Sequence, residues 1–376
     1  MANIYVHYPF CKKACHYCNF HFSTKLNNQT IVLDAILKEI EIRSNEINDS
    51  LESIYFGGGS PSILETKYLE KIINKILSQF KVKKKIEITL ELNPDDYSKE
   101  YLVEIKKFGI NRISLGVQSF NQFDLELLNR NHNSVQSLEA LDCISNLYDN
   151  YSIDLIYGIP YSSIEKWRKN LEITLKYQPP HLSCYVLTLE SNTALEYKVK
   201  NGDIELLEEE LVKEQYDYLI QKLDKRGYVN YEFSSFAKPG YNSINNSNYW
   251  NGKAYIGIGP SAHSYNGKSI RSWNISNNSK YVKSIMKNRL PAKMEKLKIN
   301  DLYNEYIMTG LRKEEGISFN EIKNRFGETY KKYIEKQLKK HIINKHIFLD
   351  GDTIKISKKF KFLTDGLSSD LFFLRD

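Results

Sequence analysis

Near its start the chain reads Tyr5-Val6-His7-Tyr8-Pro9-Phe10-Cys11-Lys12-Lys13-Ala14-Cys15-His16-Tyr17-Cys18-Asn19-Phe20. Three cysteines, Cys11, Cys15 and Cys18, follow a strand-like run at the spacing C-x3-C-x2-C. An iron–sulfur cube takes four ligands, normally four thiolates. Three neighbouring thiolates leave one iron open to a small molecule. The competing reading is a zinc site with His16 or His21 as fourth ligand, but no second cysteine pair is present.

Working outward, strand-like runs at 4–8, 53–56, 86–92, 112–117, 151–158 and 181–187 alternate with helical runs at 28–46, 65–80, 98–108, 134–148 and 164–177. Six strands alternating with helices predict a parallel sheet with right-handed crossovers, in a barrel or in an open doubly wound form. A long helix is expected over 205–226, and an irregular, Asn- and aromatic-rich stretch after it. From 301 the pattern becomes three helical runs and a hairpin around Asp350-Gly351, as in a winged helix.

Composition narrows the class. The 376 residues are 41% hydrophobic, enough for a large core. No run is long and apolar enough for a membrane span, and no signal-peptide pattern is visible, so a cytoplasmic protein is expected. Five cysteines, three of them clustered, point to metal rather than disulfides in a reducing compartment. Cys143 and Cys184 read as small hydrophobes. Residues 280–376 hold 22 Lys and Arg against 13 Asp and Glu, so the basic excess sits at the C-terminal end. Solvated lysine faces account for it better than a nucleic-acid surface.

Polar residues stand at the strand ends. Gly57-Gly58-Gly59-Ser60-Pro61 follows the second strand, and its consecutive glycines are expected to leave amide N–H groups free for a ligand. Glu91 and Asn93 end the third strand, Gln118 the fourth, Arg130 follows, and Asp154 lies in the fifth. One reading pairs Glu91 and Asp154 with Arg112 or Arg130. The other has all of these strand ends converge on one mouth.

Together these motifs resemble the radical S-adenosylmethionine proteins of the anaerobic coproporphyrinogen oxidase superfamily, and within it the HemW-like heme chaperone branch. The resemblance runs through nearly the whole chain. It implies an α/β fold, a partial (βα)6 TIM-like radical SAM barrel with a small C-terminal α+β winged-helix-like domain. The expected divisions are 1–230 for the barrel, 231–299 for an irregular connection and 300–376 for the last domain. It implies a [4Fe-4S] cluster on Cys11, Cys15 and Cys18, with S-adenosylmethionine contacted by Tyr5, Tyr17, Gly58, Gly59, Ser60, Glu91, Gln118, Arg130 and Asp154. It further implies heme as cargo, passed to apo-hemoproteins of respiration, with a homodimer left open. The branch alternative is the oxygen-independent oxidase itself. Phe20 stands where the oxidase carries another cysteine, and the motif begins without the oxidase's N-terminal extension. Both features favour the chaperone, which lacks the decarboxylase activity. Asn245 stands where the branch typically has a heme-associated histidine, in Asn245-Asn246-Ser247-Asn248-Tyr249-Trp250. That leaves Tyr249 or His263 as substitute ligands.

Overall fold

The structure is a computed structural model that describes residues 2–47 and 49–374. Six parallel strands form its centre in sequence order: β1 (Ala2–Tyr8), β2 (Leu51–Gly58), β3 (Val82–Leu92), β4 (Arg112–Gln118), β5 (Tyr151–Tyr157) and β6 (His181–Val186). The crossovers run through α1 (Gln29–Ile42), α2 (Thr66–Gln79), α3 (Lys99–Lys107), α4 (Gln122–Leu127), α5 (Ser134–Leu147) and α6 (Ile164–Lys176). Helix starts follow the local chemistry. Ser98, Asn133 and Ser163 each cap a first turn, and Asn133 with Gln136 forms a reciprocal capping box.

Strand alternation decides which side chains meet the site. In β1, Ile4, Val6 and Tyr8 belong to the apolar core beneath the outer helices. Asn3, Tyr5 and His7 turn to the opposite, concave face. Buried Ile, Leu and Val from all six strands make the core continuous.

After α7 (Ala194–Lys200) and α8 (Glu209–Asp224), the stretch expected as an irregular connection builds regular structure instead. It holds β7 (Val229–Glu232), β8 (Ser235–Ala237), α9 (Ile244–Trp250), β9 (Ala254–Ile258), β10 (His263–Tyr265), β11 (Ile270–Asn274), α10 (Asn278–Ile285) and β12 (Ala292–Lys296). The sheet has twelve strands in the order β12-β11-β10-β9-β1-β2-β3-β4-β5-β6-β8-β7. β9 joins β1 in parallel, while β10–β12 and β7–β8 extend the edges antiparallel. These strands are only three to five residues long, too short for periodicity to register.

The last domain runs α11 (Ile299–Leu311), β13 (Ile317–Ser318), α12 (Phe319–Phe326), α13 (Glu328–Ile343), β14 (Ile347–Asp350), β15 (Thr353–Ile356) and α14 (Thr364–Ser369). Its sheet order is β13-β15-β14, and it has its own core around Tyr303, Ile322 and Ile334. The Asp350-Gly351 turn holds as expected, with Gly351 at φ +60°. The domain docks through a bridge between Glu232 and Lys313, the Glu314 N–H to the Tyr231 carbonyl, and an Arg271–Glu305 ion pair at 2.7 Å. Among the described residues no helix is long and apolar enough to cross a membrane.

Candidate functional site

A cavity of about 740 Å³ opens at the C-terminal ends of the parallel strands. Its lining includes Cys11, Cys15, Cys18, Tyr17, Gly58, Gly59, Ser60, Glu91, Gln118, Arg130 and Asp154. Eleven of the twelve residues expected at the site therefore meet in one space. Tyr5 does not reach it. Its ring stacks on Tyr55, 6.1 Å between centroids, and Tyr55 forms part of the wall.

The cysteine loop is pinned from two sides. On one, the His16 N–H donates to the Leu128 carbonyl, His16 Nδ1 lies 2.8 Å from the Leu127 carbonyl, and Asn129 Nδ2 donates to the Ala14 carbonyl. On the other, Lys12 Nζ reaches Asp96 at 2.6 Å. His21 Nε2 bonds Asn278 Oδ1 at 2.7 Å. Both histidines of the zinc alternative are thus turned to other partners, and among the described residues no three His, Cys, Asp or Glu side chains converge on one ion. All three thiols are unpaired and face the cavity. Burial pushes the Cys11 thiol up to about 12, so ligation by iron would displace its proton. Arg130 Nη1 lies 3.4 Å from Cys15 Sγ, an N–H donor of the kind that tunes cluster sulfurs. The residues fit a three-thiolate cluster.

The glycine turn works differently from expectation. The Gly59 N–H donates to the Tyr8 carbonyl, the Ser60 N–H to the Phe10 carbonyl and the Gly58 N–H to Glu91. These amides are spent on closing the turn against the cysteine loop and are not free for a ligand. Glycine is needed for closeness: a Cβ on Gly59 would lie 2.5 Å from the Phe10 carbonyl, and one on Gly58, at φ +102°, 2.5 Å from the His7 ring.

Arg130 is half-buried in the cavity wall. Its Nη2 donates to Asn93 Oδ1 at 2.6 Å and to the Gly116 carbonyl at 2.9 Å, and Nη1 reaches the Tyr17 hydroxyl at 3.3 Å. Glu91 and Asp154 are held by hydroxyls rather than by an arginine. Tyr55 donates to Glu91 at 2.9 Å, and Ser114 and Ser152 each donate to Asp154 at 2.9 Å. Burial and the Asp154 charge raise Glu91 to about 7, although the bonds from Tyr55 and Gly58 oppose the rise. Burial likewise raises Asp154, opposed by Ser114, Ser152 and the Arg112 charge. Gln118 sits at φ +65° where the β4–β5 register slips, a conformation few non-glycine residues adopt.

Sequence reasoning missed several wall residues. Tyr55 was visible in principle, because Ser53 and Tyr55 alternate with Ile54 and Phe56 in β2. Ser114 carried no such signal. Arg312 and Asp365 come from the last domain and close the far side of the cavity. Phe20 lines the lip and is 67% exposed. Asn245, in contrast, is buried away from this space. It lies near Ser53 Oγ at 3.2 Å, and its N–H donates to Glu87.

With that geometry in view, comparison with known proteins is decisive. Residues 5–173 match the Radical SAM superfamily, and residues 297–359 match the HemN C-terminal domain. The chain is 33% identical to the heme chaperone HemW of Lactococcus lactis over 94% of this chain and 93% of that protein. It is 35% identical to the heme chaperone HemW of Buchnera aphidicola from Schizaphis graminum, over 95% and 96%. The chain belongs to the HemW family of radical SAM proteins. Membership implies S-adenosylmethionine and a [4Fe-4S] cluster. The coproporphyrinogen III oxidase HemN of Escherichia coli shares the fold, with a TM-score of 0.85 at 22% identity, covering 100% of this chain and 90% of that one.

Proposed function

We propose that this HemW-family chain is a heme chaperone that carries a [4Fe-4S] cluster on Cys11, Cys15 and Cys18 and binds S-adenosylmethionine in the 740 Å³ cavity. The observation that carries the reading is the meeting of three free thiols with Glu91, Gln118, Arg130 and Asp154 in one space. Its volume falls within the roughly 300–1,000 Å³ of small-molecule sites. When bound, the cluster supplies the redox chemistry; the protein positions and shields.

The chain's own residues divide the work. The backbone of Gly58 and Gly59, packed close with no Cβ in the way, accepts the amino group through carbonyl oxygens. Glu91 and Asp154 serve hydroxyl groups, Ser60 and Gln118 are polar contacts, and Tyr17 and Tyr5 shape the wall, Tyr5 through Tyr55. Arg130 ties the wall to the cysteine loop. Heme is the cargo, as the relatives' name of heme chaperone says of them, and apo-hemoproteins are the recipients in this reading.

Anaerobic reconstitution tests the reading. The wild-type protein is expected to turn brown, to bind hemin and to leave coproporphyrinogen III unconverted. Replacing Cys11, Cys15 and Cys18 together by Ala should remove the visible chromophore. A brown triple variant would overturn the ligand assignment, and decarboxylation of coproporphyrinogen III would overturn the chaperone reading.

A further inference from the structure

The cavity has a second wall that the strand ends do not supply. Arg312, the C-terminal cap of α11, and Asp365, in the first turn of α14, face into it, together with Phe233 and Ser234 of the β7–β8 turn. The Arg312 guanidinium lies between two rings, 5.8 Å from the centroid of Phe233 and 5.6 Å from that of Trp250. Phe233 is itself fixed by stacking on Tyr216 at 5.4 Å. Rings on two sides hold the guanidinium plane in place.

Its fork is filled from within the protein. Nε donates to Asp365 Oδ1 at 2.8 Å and Nη2 to Oδ2 at 2.6 Å, a bidentate carboxylate pair. The Asp365 side chain is 62% exposed and that of Arg312 27%. Because the Asp365 carboxylate stands mostly in water, another carboxylate can take its place on the fork, trading one bidentate pair for another. The buried Glu232 places a further negative charge near Arg312, but it accepts from the Ser234 N–H and leaves the fork to Asp365.

The other cations of the cavity are committed. Arg130 is spent on Asn93, Gly116 and Tyr17, Lys12 on Asp96, and Lys13 Nζ on the Arg130 carbonyl. Arg312 is therefore the cavity cation whose counter-charge is exchangeable. Phe233 beside it, with Tyr185 and Leu187, gives the same cavity aromatic and apolar lining suited to a flat, apolar ligand.

We infer that Arg312 recognises a carboxylate on a flat, apolar ligand, and that Asp365 holds the fork until that carboxylate arrives. Given the heme-cargo reading above, on which this rests, the carboxylate is one of those at the macrocycle's edge. Asp365 is then a competitor, not a support, and this sets the sign of the test.

Hemin and hemin dimethyl ester, which lacks free carboxylates, are titrated into cluster-reconstituted full-length protein and followed at the Soret band. Wild type is expected to prefer hemin over the ester by about tenfold, the worth of one charge-assisted carboxylate pair. Arg312→Gln should erase that preference, and Arg312→Lys, which keeps charge without the fork, should fall between. Asp365→Asn, an exposed change, should tighten hemin several-fold and leave the ester unchanged. A merely structural pair would make Asp365→Asn weaken hemin as Arg312→Gln does, and that result overturns the inference. So does an unchanged hemin-to-ester ratio in a folded Arg312→Gln protein, with the cargo reading left standing. If wild type binds neither compound, the cargo reading fails and takes the inference with it.

Discussion

The concave face of the sheet buries polar residues at both of its ends, and the two ends use them differently. At the N-terminal ends of the strands, α9 lies across β1–β3. Glu87 accepts from the N–H groups of Ile244 and Asn245, both at 3.1 Å. Asn248 donates to Asn3 at 2.7 Å, Ser53 donates to Asn3 at 3.0 Å, and Lys253 reaches Glu52 at 2.8 Å. At the C-terminal ends, Glu91 and Asp154 have hydroxyl partners but no arginine, and they look into an open cavity. Buried polar groups that find partners hold a fold together. Buried polar groups aimed at space are arranged for something that enters it. The difference lies in what stands opposite each side chain, not in residue type.

The sharpest way to break this contrast is to remove the keystone of the closed end. Glu87→Ala strands two helix N–H groups, one of them on the buried Asn245. Each unsatisfied buried donor costs about 1–3 kcal/mol, so a loss on the order of 3 kcal/mol is expected in chemical denaturation. S-adenosylmethionine affinity of the protein that remains folded should not change. A fall in affinity with stability intact would show that the closed end is part of the binding machinery.

The open end carries the opposite sign. Glu91 is raised from the ordinary carboxylate range to about 7, chiefly by burial. A raised carboxyl favours the fold fully below its unfolded pKa of about 4.3, and the contribution is lost as pH rises through 7. Cluster-free wild type should therefore lose on the order of 3 kcal/mol between those limits from this group alone. Glu91→Gln cannot ionise. Its stability difference from wild type should grow in its favour from pH 5 to pH 8, while S-adenosylmethionine binding weakens. A difference that stays flat with pH would mean that the fold does not hold Glu91 above the ordinary carboxylate range.

How far the sequence reveals this contrast depends on spacing. The barrel strands are long enough for their alternation to show, and Glu91, Gln118, Arg130 and Asp154 line one cavity because strand ends converge in such folds. The last domain's helices and its Asp350-Gly351 turn were equally plain. The closed end was not legible. Asn3, Glu87 and Asn248 are separated by tens of residues, and they meet only because α9 folds back across the sheet. For the same reason the glycine triplet suggested free amides, whereas the partners that consume them, Tyr8 and Phe10, lie on another strand and loop. Arg312 escaped notice because its rings, Phe233 and Trp250, come from the region read as irregular.

The smallest effect probes the residue that most divided the sequence reading. Asn245, at the position where the resemblance leads one to expect a heme-associated histidine, is 2% exposed. Its side chain meets Ser53 across 3.2 Å at the closed end. If that end serves only the fold, Asn245→Ala removes the neutral hydrogen bonds to Ser53 and Tyr249 and costs about 1–2 kcal/mol, because α9 keeps its N–H bonds to Glu87. Hemin titration of the variant should then superimpose on wild type. A change in hemin affinity with unchanged stability would instead carry cargo binding through the barrel to α9, where Tyr249 packs edge-on against Tyr255 at 4.6 Å. The two ends would then be the two mouths of one binding path.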